Sequence, residues 1–443
     1  MKEKLNLIAD KAKRDKRFKF TSLIHHINEE NLARCYRELK RDSVGGIDNV
    51  TVEEYGRDLA KNLKDLVERL KTKSYRPKPV KRVYIPKAGN PNEKRGLGLP
   101  AVEDKLVQIM VKKLLEAIYE ADFLECSYGF RPERNCFQAI NRLDKEVMCK
   151  PVNFIVEVDI RKFFDTLSHY WMLRCLEERV ADRNLLWLVR RMLKAGIIDN
   201  GQHYANDRGA MQGGNLSPLL ANIYLHYVLD LWFEKKFKPQ AKGYMQLIKY
   251  CDDFVVCCEN ERDAKEFLKA LEERFDQFGL KLSIDKTKIV KFGKRVWQQW
   301  KNGGEKPPTF NFLGFKHYCA TSRRGYFIMG HKTTKENLCR KLKETKEWIR
   351  KVRNFLPLKD WWPTLRAKLT GHYSYFGISG NYHCLRQFYC QVIKLVFKWM
   401  NRRSQRKSMT WEMFQNYLQW NPLPAPRIYH SLYTLTPKRG MLH

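Results

Sequence analysis

The sequence predicts an α+β fold followed by an all-helical C-terminal region. Up to about residue 330, segments with the alternating apolar pattern of strands, such as 154–160, are interspersed with segments of helical periodicity. Beyond residue 331 only helical periodicity remains. The third observation is a pair of adjacent acids, Asp252 and Asp253, between the apolar runs 246–248 and 254–256. This pattern is typical of a β-hairpin that carries both carboxylates at its tip.

Local signals predict the individual elements in order. Helical spacing predicts a basic amphipathic helix through the first forty residues, ended by Gly45 and Gly46. Thr51 and Glu54 form a capping-box pattern that opens a second helix, whose apolar stripe reaches Leu70. The remaining helices are predicted over 103–121, 168–178, 184–195, 217–235 and 261–279, and the strands over 80–85, 154–160, the acidic hairpin and a pair ending near 315.

The C-terminal region is predicted to contain helices alone. Apolar stripes at helical spacing cover 338–352, 361–376 and 385–399, and a short helix over 410–420 follows a basic connector at 402–408. Prolines at 422, 424 and 426 exclude helix after that point.

Composition favours a polyanionic partner and an intracellular location. The 443 residues include 84 Lys and Arg against 49 Asp and Glu, a formal charge of +35 spread over the whole chain, so binding to nucleic acid should weaken steeply with salt. The twelve cysteines contain no C-x-x-C pair, which favours free thiols in a reducing cytoplasm over disulfides or zinc. No apolar run approaches the length of a membrane span, so we expect no membrane partner.

The acidic pair has two interpretations. Adjacent acids are common in ordinary polar turns. Acids held this close also repel one another unless a multivalent cation lies between them. A polymerase uses such a pair, with a third Asp from a neighbouring strand, to hold two Mg²⁺ ions, with Mn²⁺ as the alternative ion. Asp159, at the end of the predicted strand 154–160, would supply that third carboxylate.

The residues after Asp159 suit a nucleotide site. The backbone of Arg161 and Lys162 would border an incoming triphosphate, and Phe164 would lie under its sugar. An aromatic ring in that place excludes a 2′-hydroxyl by occupying its space, which favours deoxynucleotides. Core packing is the alternative role for Phe164.

Several motifs resemble those of reverse transcriptases. The run VEVDIRKFFD at 156–165 resembles their first catalytic motif, and QGGNLSPLLAN at 212–222 resembles their glutamine–glycine–serine–proline motif. The runs RGLGLP at 95–100, SYGFRP at 127–132 and FLGF at 312–315 complete the series in the family's order. The resemblance is to bacterial group II intron reverse transcriptases and extends from about residue 45 to about residue 426.

The resemblance implies a right-hand polymerase in three domains. These are an N-terminal helical extension at 1–75, fingers and palm with an antiparallel sheet at 76–330, and an all-α thumb or maturase-like RNA-binding domain at 331–443. It implies an RNA-directed DNA polymerase that uses dNTPs, an RNA template and two Mg²⁺ ions. The expected metal site consists of Asp159, Ile160, Asp252 and Asp253, and its three aspartates are also the expected catalytic residues.

The resemblance also implies contacts to nucleotide and nucleic acid. Cations are required where phosphate charge develops, and Gln212 would position nucleotide and template. The nucleotide contacts expected in this way are Lys87, Arg95, Arg161, Lys162, Phe163, Phe164 and Gln212, although a solvated loop is the alternative for Lys87 and Arg95. The nucleic-acid contacts expected are Arg131, Gly213, Gly214, Arg402, Arg403, Arg406 and Lys407.

Three departures from the intron proteins bear on biological role. Cys251 stands where they usually carry Ala, Ala210-Met211 stands where Thr-Pro is common, and no endonuclease or Cys-pair segment follows the thumb. These features resemble a defence-associated reverse transcriptase of class two, which copies a structured non-coding RNA into cDNA in antiphage defence. The alternatives are a group II intron-encoded reverse transcriptase and maturase, and an RNA-binding splicing cofactor whose polymerase site is incidental.

Overall fold

The structure is a computed structural model that describes residues 1–87, 90–402 and 409–432, with the backbone alone at 86, 87, 90–93 and 95. The contacts divide the chain into two units. One consists of Met1–Lys87, Asn92–Ala139 and Val156–Ile289, and the other contains Ile140–Ile155 and the chain from Val290 onward. These boundaries differ from those of the three domains expected from the sequence, which stay a prediction.

The N-terminal segment of the first unit contains four helices: α1 Lys2–Arg14, α2 Glu29–Arg37, α3 Val52–Arg57 and α4 Leu59–Lys71. The predicted continuous helix over the first forty residues is wrong, because residues 15–28 leave the helical conformation apart from a 3₁₀ turn. Phe20 there forms a parallel bridge with Val180. The Asp182 carboxylate accepts the backbone N–H groups of Leu23 and Ile24 at 2.6 and 2.8 Å. Distant partners therefore outweigh local helical propensity.

The predicted capping box is confirmed. The Thr51 side chain accepts the N–H of Glu54, and the Glu54 carboxylate accepts the N–H of Thr51 at 2.8 Å, so α3 begins where the pattern indicated. The helix is shorter than predicted because Asp58, with φ −117° and ψ 40°, separates α3 from α4. The apolar stripe of α4 is buried as expected, from Leu63 to Leu70.

A four-stranded sheet follows, in the order β2-β1-β4-β5. Its strands are β1 Val80–Lys87, β2 Asn90–Leu99, β4 Ile197–Asp199 and β5 Gln202–Tyr204. β1 pairs in parallel with β4, an exception to the antiparallel arrangement predicted for this region. The β4–β5 hairpin turns at Asn200 and Gly201. Both residues have positive φ (49° and 84°), as a two-residue type I′ turn requires.

Helices and the central sheet make up the middle of the chain. The helices are α5 Val102–Tyr119, α6 Cys136–Cys149, α7 Phe163–Thr166, α8 His169–Glu177, α9 Arg183–Leu193, α10 Ser217–Leu225 and α11 Glu261–Gln277. The sheet contains β3 Phe154–Val158, β6 Met245–Tyr250, β7 Asp253–Cys258 and β8 Lys288–Lys291, in the order β6-β7-β3-β8. β6 and β7 are antiparallel, and β7 lies beside β3. The predicted acidic hairpin and its neighbouring strand are therefore both present.

The second unit combines a small sheet with the C-terminal helices. Helix α12 Lys294–Lys301 precedes the sheet of β9 Phe310–Phe312, β10 Phe315–Thr321 and β11 Phe327–Thr333. Four helices follow, as the periodicity predicted: α13 Lys335–Phe355, α14 Leu358–Phe376, α15 Tyr382–Met400 and α16 Trp411–Trp420. No helix in the described ranges has the length and apolar character that a membrane crossing requires. The α+β fold class with a helical C-terminal region is thus confirmed.

A buried ion pair lies at the end of β6 that leads into the acidic hairpin. The Lys249 ammonium lies 2.8 Å from the Asp230 carboxylate, and both side chains are fully inaccessible to solvent. Asp230 belongs to a π-helical segment, His226–Asp230, that continues α10. Burial raises the pKa of Asp230, and the Lys249 charge opposes that shift. The pair therefore joins the α10 extension to the strand that carries the hairpin.

We expect Lys249→Met to lower the free energy of unfolding by about 3–5 kcal/mol, because it leaves the Asp230 carboxylate buried without its cation. The double variant Lys249→Met/Asp230→Leu should recover most of that loss, since both charges are then removed. Urea denaturation followed by circular dichroism measures both. A double variant that is no more stable than the single variant would contradict this account of the pair.

Candidate active site

The two adjacent acids lie at a two-residue hairpin turn. Tyr250 of β6 pairs with Asp253 of β7, so Cys251 and Asp252 form the turn. Cys251 has φ 59°, a left-handed conformation that is uncommon for a residue with a side chain. Its side chain is buried, whereas Asp252 is half-buried and Asp253 is exposed. The turn thus directs the Cys251 side chain inward and leaves the two carboxylates accessible to solvent.

The segment SYGFRP supports this turn through its backbone. Ser127 forms a parallel bridge with Lys249, and the N–H of Tyr128 donates to the Lys249 carbonyl at 2.9 Å. A Cβ at Gly129 would lie 2.6 Å from the backbone N of Cys251, closer than real Cβ contacts allow. The Asn222 amide of α10 donates to the Gly129 carbonyl at 2.6 Å. Gly129 is therefore required for close packing against the turn.

Asp159 follows β3, the strand beside β7. The Ser283 N–H donates to its carbonyl oxygen at 2.8 Å, and its own N–H lies 3.4 Å from the Thr287 hydroxyl. The Asp159 carboxylate lies 3.3 Å from the Lys286 ammonium, in a pair that is largely exposed to solvent. The segment from Ser283 to Thr287 therefore fixes the backbone of Asp159 and places a cation next to its carboxylate.

The structure brings seven of the eleven predicted metal and nucleotide residues to one cavity of about 390 Å³. The predicted residues that line it are Asp159, Ile160, Lys162, Phe163, Phe164, Gln212 and Asp252. Asp253 is not among its lining residues, although it follows Asp252 directly and begins the strand next to β3. One volume is thus lined by the carboxylates of Asp159, Asp165 and Asp252, by three aromatic rings, an amide and several cations.

The predicted nucleotide contacts have different surroundings. Lys162 is exposed, with φ 47°, and lines the cavity. The ring of Phe164 is half-buried and packs edge-on against the buried Phe163 at 5.3 Å, so Phe163 contributes mainly to the core. The Arg161 N–H donates to the Lys281 carbonyl at 2.8 Å, which leaves it unavailable to a triphosphate. The side chains of Lys87 and Arg95 lie outside the described residues.

A backbone hydrogen bond to β2 fixes the position of Gln212. Its carbonyl accepts the N–H of Gly98 in β2 at 2.7 Å, and a Cβ on Gly213, where φ is 105°, would lie 2.9 Å from the Gly98 carbonyl. The Gln108 side chain of α5 accepts the N–H of Asn215 at 3.0 Å. The glycines therefore serve close packing of two chain segments at the cavity. Contacts of Gly213 and Gly214 with nucleic acid stay a prediction.

Six further residues line the same cavity and were not predicted as site residues: Arg82, Tyr84, Lys94, Gly96, Asp165 and Lys286. Arg82, Tyr84 and Lys94 come from β1 and β2, and Lys286 comes from the turn before β8. The alternation of β1 could have indicated that Arg82 and Tyr84 share one face of the strand. No local pattern indicates that Lys286 lies near Asp159, which is more than a hundred residues earlier in the sequence.

Arg131 has a structural environment. Its guanidinium is almost fully buried, pairs with Glu120 at 2.6 Å and donates to the carbonyl oxygens of Leu124 and Ser127. These contacts use its donors inside the protein, so the structure favours a structural role for Arg131 over the predicted contact with nucleic acid.

In the C-terminal helices, Trp399 is buried between two cations. Arg353 lies 4.6 Å and Arg402 5.5 Å from the centre of its ring. Arg402 itself is exposed, as a phosphate contact requires. The other predicted connector contacts, Arg403, Arg406 and Lys407, lie outside the described residues.

The sequence matches a known family over more than half its length. The profile described as "Reverse transcriptase (RNA-dependent DNA polymerase)" matches residues 85–317, a range that includes every side chain lining the cavity except Arg82 and Tyr84. The chain belongs to this family.

Similar proteins include several encoded in introns. Over 263 residues the chain is 33% identical to "Group II intron-encoded protein LtrA" of Lactococcus lactis subsp. cremoris, an alignment of 57% of this chain and 43% of that protein. It is 31% identical over 290 residues to "Protein YkfC" of Escherichia coli K12, covering 58% of this chain and 75% of that protein. It is 34% identical over 183 residues to "Putative COX1/OXI3 intron 2 protein" of Saccharomyces cerevisiae, covering 40% of this chain and 20% of that protein. The chain thus spans less than half of the intron-encoded proteins.

The donor set of the cavity fits a magnesium ion. Within the described ranges, no three Asp, Glu, His or Cys side chains are gathered so as to hold a metal by themselves. The carboxylates of Asp159 and Asp252 nevertheless line one cavity. Mg²⁺ usually takes one or two carboxylates and completes its coordination with substrate phosphates and water, and it does not require an all-protein cage. Hard oxygen ligands of this kind suit Mg²⁺ or Mn²⁺.

We expect Cys251 to resist alkylation in the folded protein. Burial, with a smaller contribution from the neighbouring Asp252, raises the pKa of its thiol, which keeps the reactive thiolate scarce up to alkaline pH. Cys149, Cys339 and Cys390 are exposed and should react first. Timed iodoacetamide labelling with peptide mass spectrometry measures the order. Labelling of Cys251 as fast as Cys149 would show that the turn is not packed as described.

Proposed function

We propose that this protein is an RNA-directed DNA polymerase, in which Asp159, Asp252 and Asp253 are the catalytic carboxylates. The observation that supports this most strongly is the shared cavity. Asp159 and Asp252, which are far apart in sequence, line it together with Phe164 and Gln212, inside the range matched by the reverse transcriptase family. An ordinary polar turn would not require this combination.

The three carboxylates would hold two Mg²⁺ ions. When bound, these ions would activate the primer 3′-hydroxyl and neutralise the charge of the triphosphate. Asp159 and Asp252, both half-buried, offer oxygen atoms to the cavity, and Ile160 lies beside them. Asp253, at the start of β7, lies on the strand next to β3 and would complete the set.

Cations from three segments would bind the triphosphate. Lys162 follows β3, Arg82 and Lys94 lie in the sheet formed by β1 and β2, and all three line the cavity. Lys286 pairs with Asp159 at 3.3 Å and is within reach of an anion in the same volume. Preorganised cations stabilise the charge that develops on the transferred phosphoryl group without costly rearrangement. Lys87 and Arg95 are proposed to extend this set.

Phe164 would select deoxynucleotides. Its ring lines the cavity with Gln212, and the buried Phe163 supports it edge-on at 5.3 Å. A supported ring cannot move aside to admit a 2′-hydroxyl, because its neighbours are close-packed. Gln212, whose backbone is fixed to Gly98, would contact the nucleotide or the template.

We further propose that the template is a structured non-coding RNA copied into cDNA in antiphage defence, in the cytoplasm. The observations that support this are the departures at Cys251 and Ala210-Met211 from the usual intron-protein pattern. The alternative is a group II intron-encoded reverse transcriptase and maturase that assists splicing and retromobility. The intron-encoded relatives support that alternative. Both roles require RNA binding, which the charge of +35 favours.

Replacement of both hairpin acids, Asp252→Ala with Asp253→Ala, should abolish DNA synthesis and leave RNA affinity within about twofold of wild type, because the acids serve the metal ions and not the phosphate backbone. Primer extension on an oligo(dT)-primed poly(rA) template and filter binding measure the two properties. Glu272→Ala with Asp276→Ala, two exposed acids on α11, is the matched control. Synthesis that survives in the hairpin variant would refute the proposed catalytic role.

Phe164→Ala should raise the ratio of ribonucleotide to deoxynucleotide incorporation by at least about tenfold, since the removed steric barrier is worth more than about 1.4 kcal/mol. Competition between rNTPs and dNTPs in primer extension gives the ratio. Tyr170→Ala removes an exposed ring on α8 and is the control. If the ratio in the Phe164 variant matches that control, Phe164 is not the sugar gate.

A further inference from the structure

The turn between β10 and β11, in the second unit, is basic and is closed by hydrogen bonds. We call residues 322–326 the basic hairpin tip. The N–H of Ser322 donates to the Tyr326 carbonyl at 2.8 Å, and the N–H of Gly325 donates to the Ser322 carbonyl at 3.0 Å. The Ser322 hydroxyl accepts the N–H of Tyr326 at 3.0 Å, and Gly325 has φ 80°. These bonds hold the tip in one conformation.

The tip presents two cations and an aromatic ring to solvent. Arg323 and Arg324 are exposed, and Tyr326 is 71% exposed, a large value for a tyrosine. Tyr326 is followed by Phe327, which pairs with Thr321 and is buried. The chain therefore turns Phe327 into the core and leaves the Tyr326 ring largely exposed to solvent.

Helix α12 fixes the base of the tip. The indole N–H of Trp297 donates to the Thr321 hydroxyl at 3.0 Å, and its ring lies 5.9 Å from that of Phe327. Lys294 and Arg295 are exposed on this helix. At its end, the Lys301 ammonium lies 5.7 Å from the ring of Trp300. A second basic and aromatic element thus lies next to the tip.

The charge of this region is strongly one-sided. Between Lys291 and Tyr326 the only acidic residue is Glu305. The basic residues there are Lys291, Lys294, Arg295, Lys301, Lys306, Lys316, Arg323 and Arg324. A solvated surface without a partner usually mixes both signs of charge, as the face of α11 does. Such an excess of one sign fits a polyanion.

We propose that the basic hairpin tip and α12 form an RNA-binding surface that recognises unpaired nucleotides, such as the loop of a structured RNA. Arg323 and Arg324 would contact phosphates, and an unpaired base would stack on the ring of Tyr326. Base stacking on exposed aromatic rings is how proteins bind unpaired RNA, whereas a duplex presents only its backbone and grooves. The exposed tyrosine is the observation that favours unpaired RNA over a duplex or an acidic protein.

This surface goes beyond the proposed function, because it requires neither nucleotide nor metal and contains no residue that lines the cavity. It assigns the second unit a contact with the RNA itself. Binding and polymerisation can therefore fail independently, and separate measurements distinguish them.

The test uses the full chain and three variants: Tyr326→Ser, Arg323→Ala/Arg324→Ala, and the control Lys265→Ala/Lys269→Ala. The control removes two exposed cations from the mixed-charge face of α11. Fluorescence anisotropy measures affinity for two probes, an RNA hairpin with an unpaired loop and the same stem as a blunt duplex, over a range of salt. Thermal unfolding confirms that each variant folds, and primer extension on poly(rA) is measured in parallel.

Tyr326→Ser should weaken binding of the looped RNA at least about fivefold and leave the blunt duplex within about twofold, because only unpaired bases stack. The double arginine variant should weaken both and lower the slope of log affinity against log salt by about 1.4, or about 0.7 for each lost phosphate contact on a single strand. Both effects should exceed those of the control.

The proposal would be overturned if the Tyr326 variant bound looped RNA with wild-type affinity. It would also be overturned if the arginine variant bound both RNAs as tightly as the control does. An acidic protein would then be the partner that the charge fits. Loss of loop binding with normal primer extension supports it. Absence of extension in the wild type would count against the proposed polymerase and not against this surface.

Discussion

The geometry of the candidate active site depends on the packing of Gly129 against the turn that carries the acids. A two-residue turn is too small to fix its own position, and Cys251 adopts a left-handed φ of 59° within it. The backbone of residues 127–129 runs beside β6 and meets the turn where a Cβ has no room. The Asn222 amide also donates a hydrogen bond to the carbonyl of this glycine. Two motifs that are distant in sequence therefore serve one purpose, to hold the carboxylates still.

Charge compensation is the second constraint. Carboxylates can share a cavity only if cations offset their repulsion. Lys286 does so for Asp159, and Lys162, Arg82 and Lys94 line the same volume. Behind the turn, Lys249 and Asp230 neutralise one another in the core. The remaining positive charge is spread over the surface, including the basic hairpin tip, where it fits a polyanionic partner.

Local signals in the sequence predicted much of the fold and part of the site. The capping box at Thr51, the hairpin at Asp252 and the strand that precedes Asp159 follow from spacing alone, and the family motifs supplied Gln212. The predictions that failed depend on contacts between residues that are distant in sequence. The helix breaks after α1 because Phe20 forms a bridge with Val180 and Leu23 donates to Asp182, in each case across more than 150 residues. The pairing of Lys286 with Asp159 has the same origin, because no local pattern encodes a partner far along the chain.

The most direct test of the central claim is to sequence the RNA and DNA that copurify with the protein from cells carrying its native flanking genes, beside the variant that lacks both hairpin acids. We expect both forms to retain the same RNA, and DNA complementary to it to be present with the wild type alone. A single neighbouring non-coding RNA would favour defence, and a spliced intron RNA would favour the maturase alternative. Bound RNA without complementary DNA in either form would contradict RNA-templated synthesis at this site.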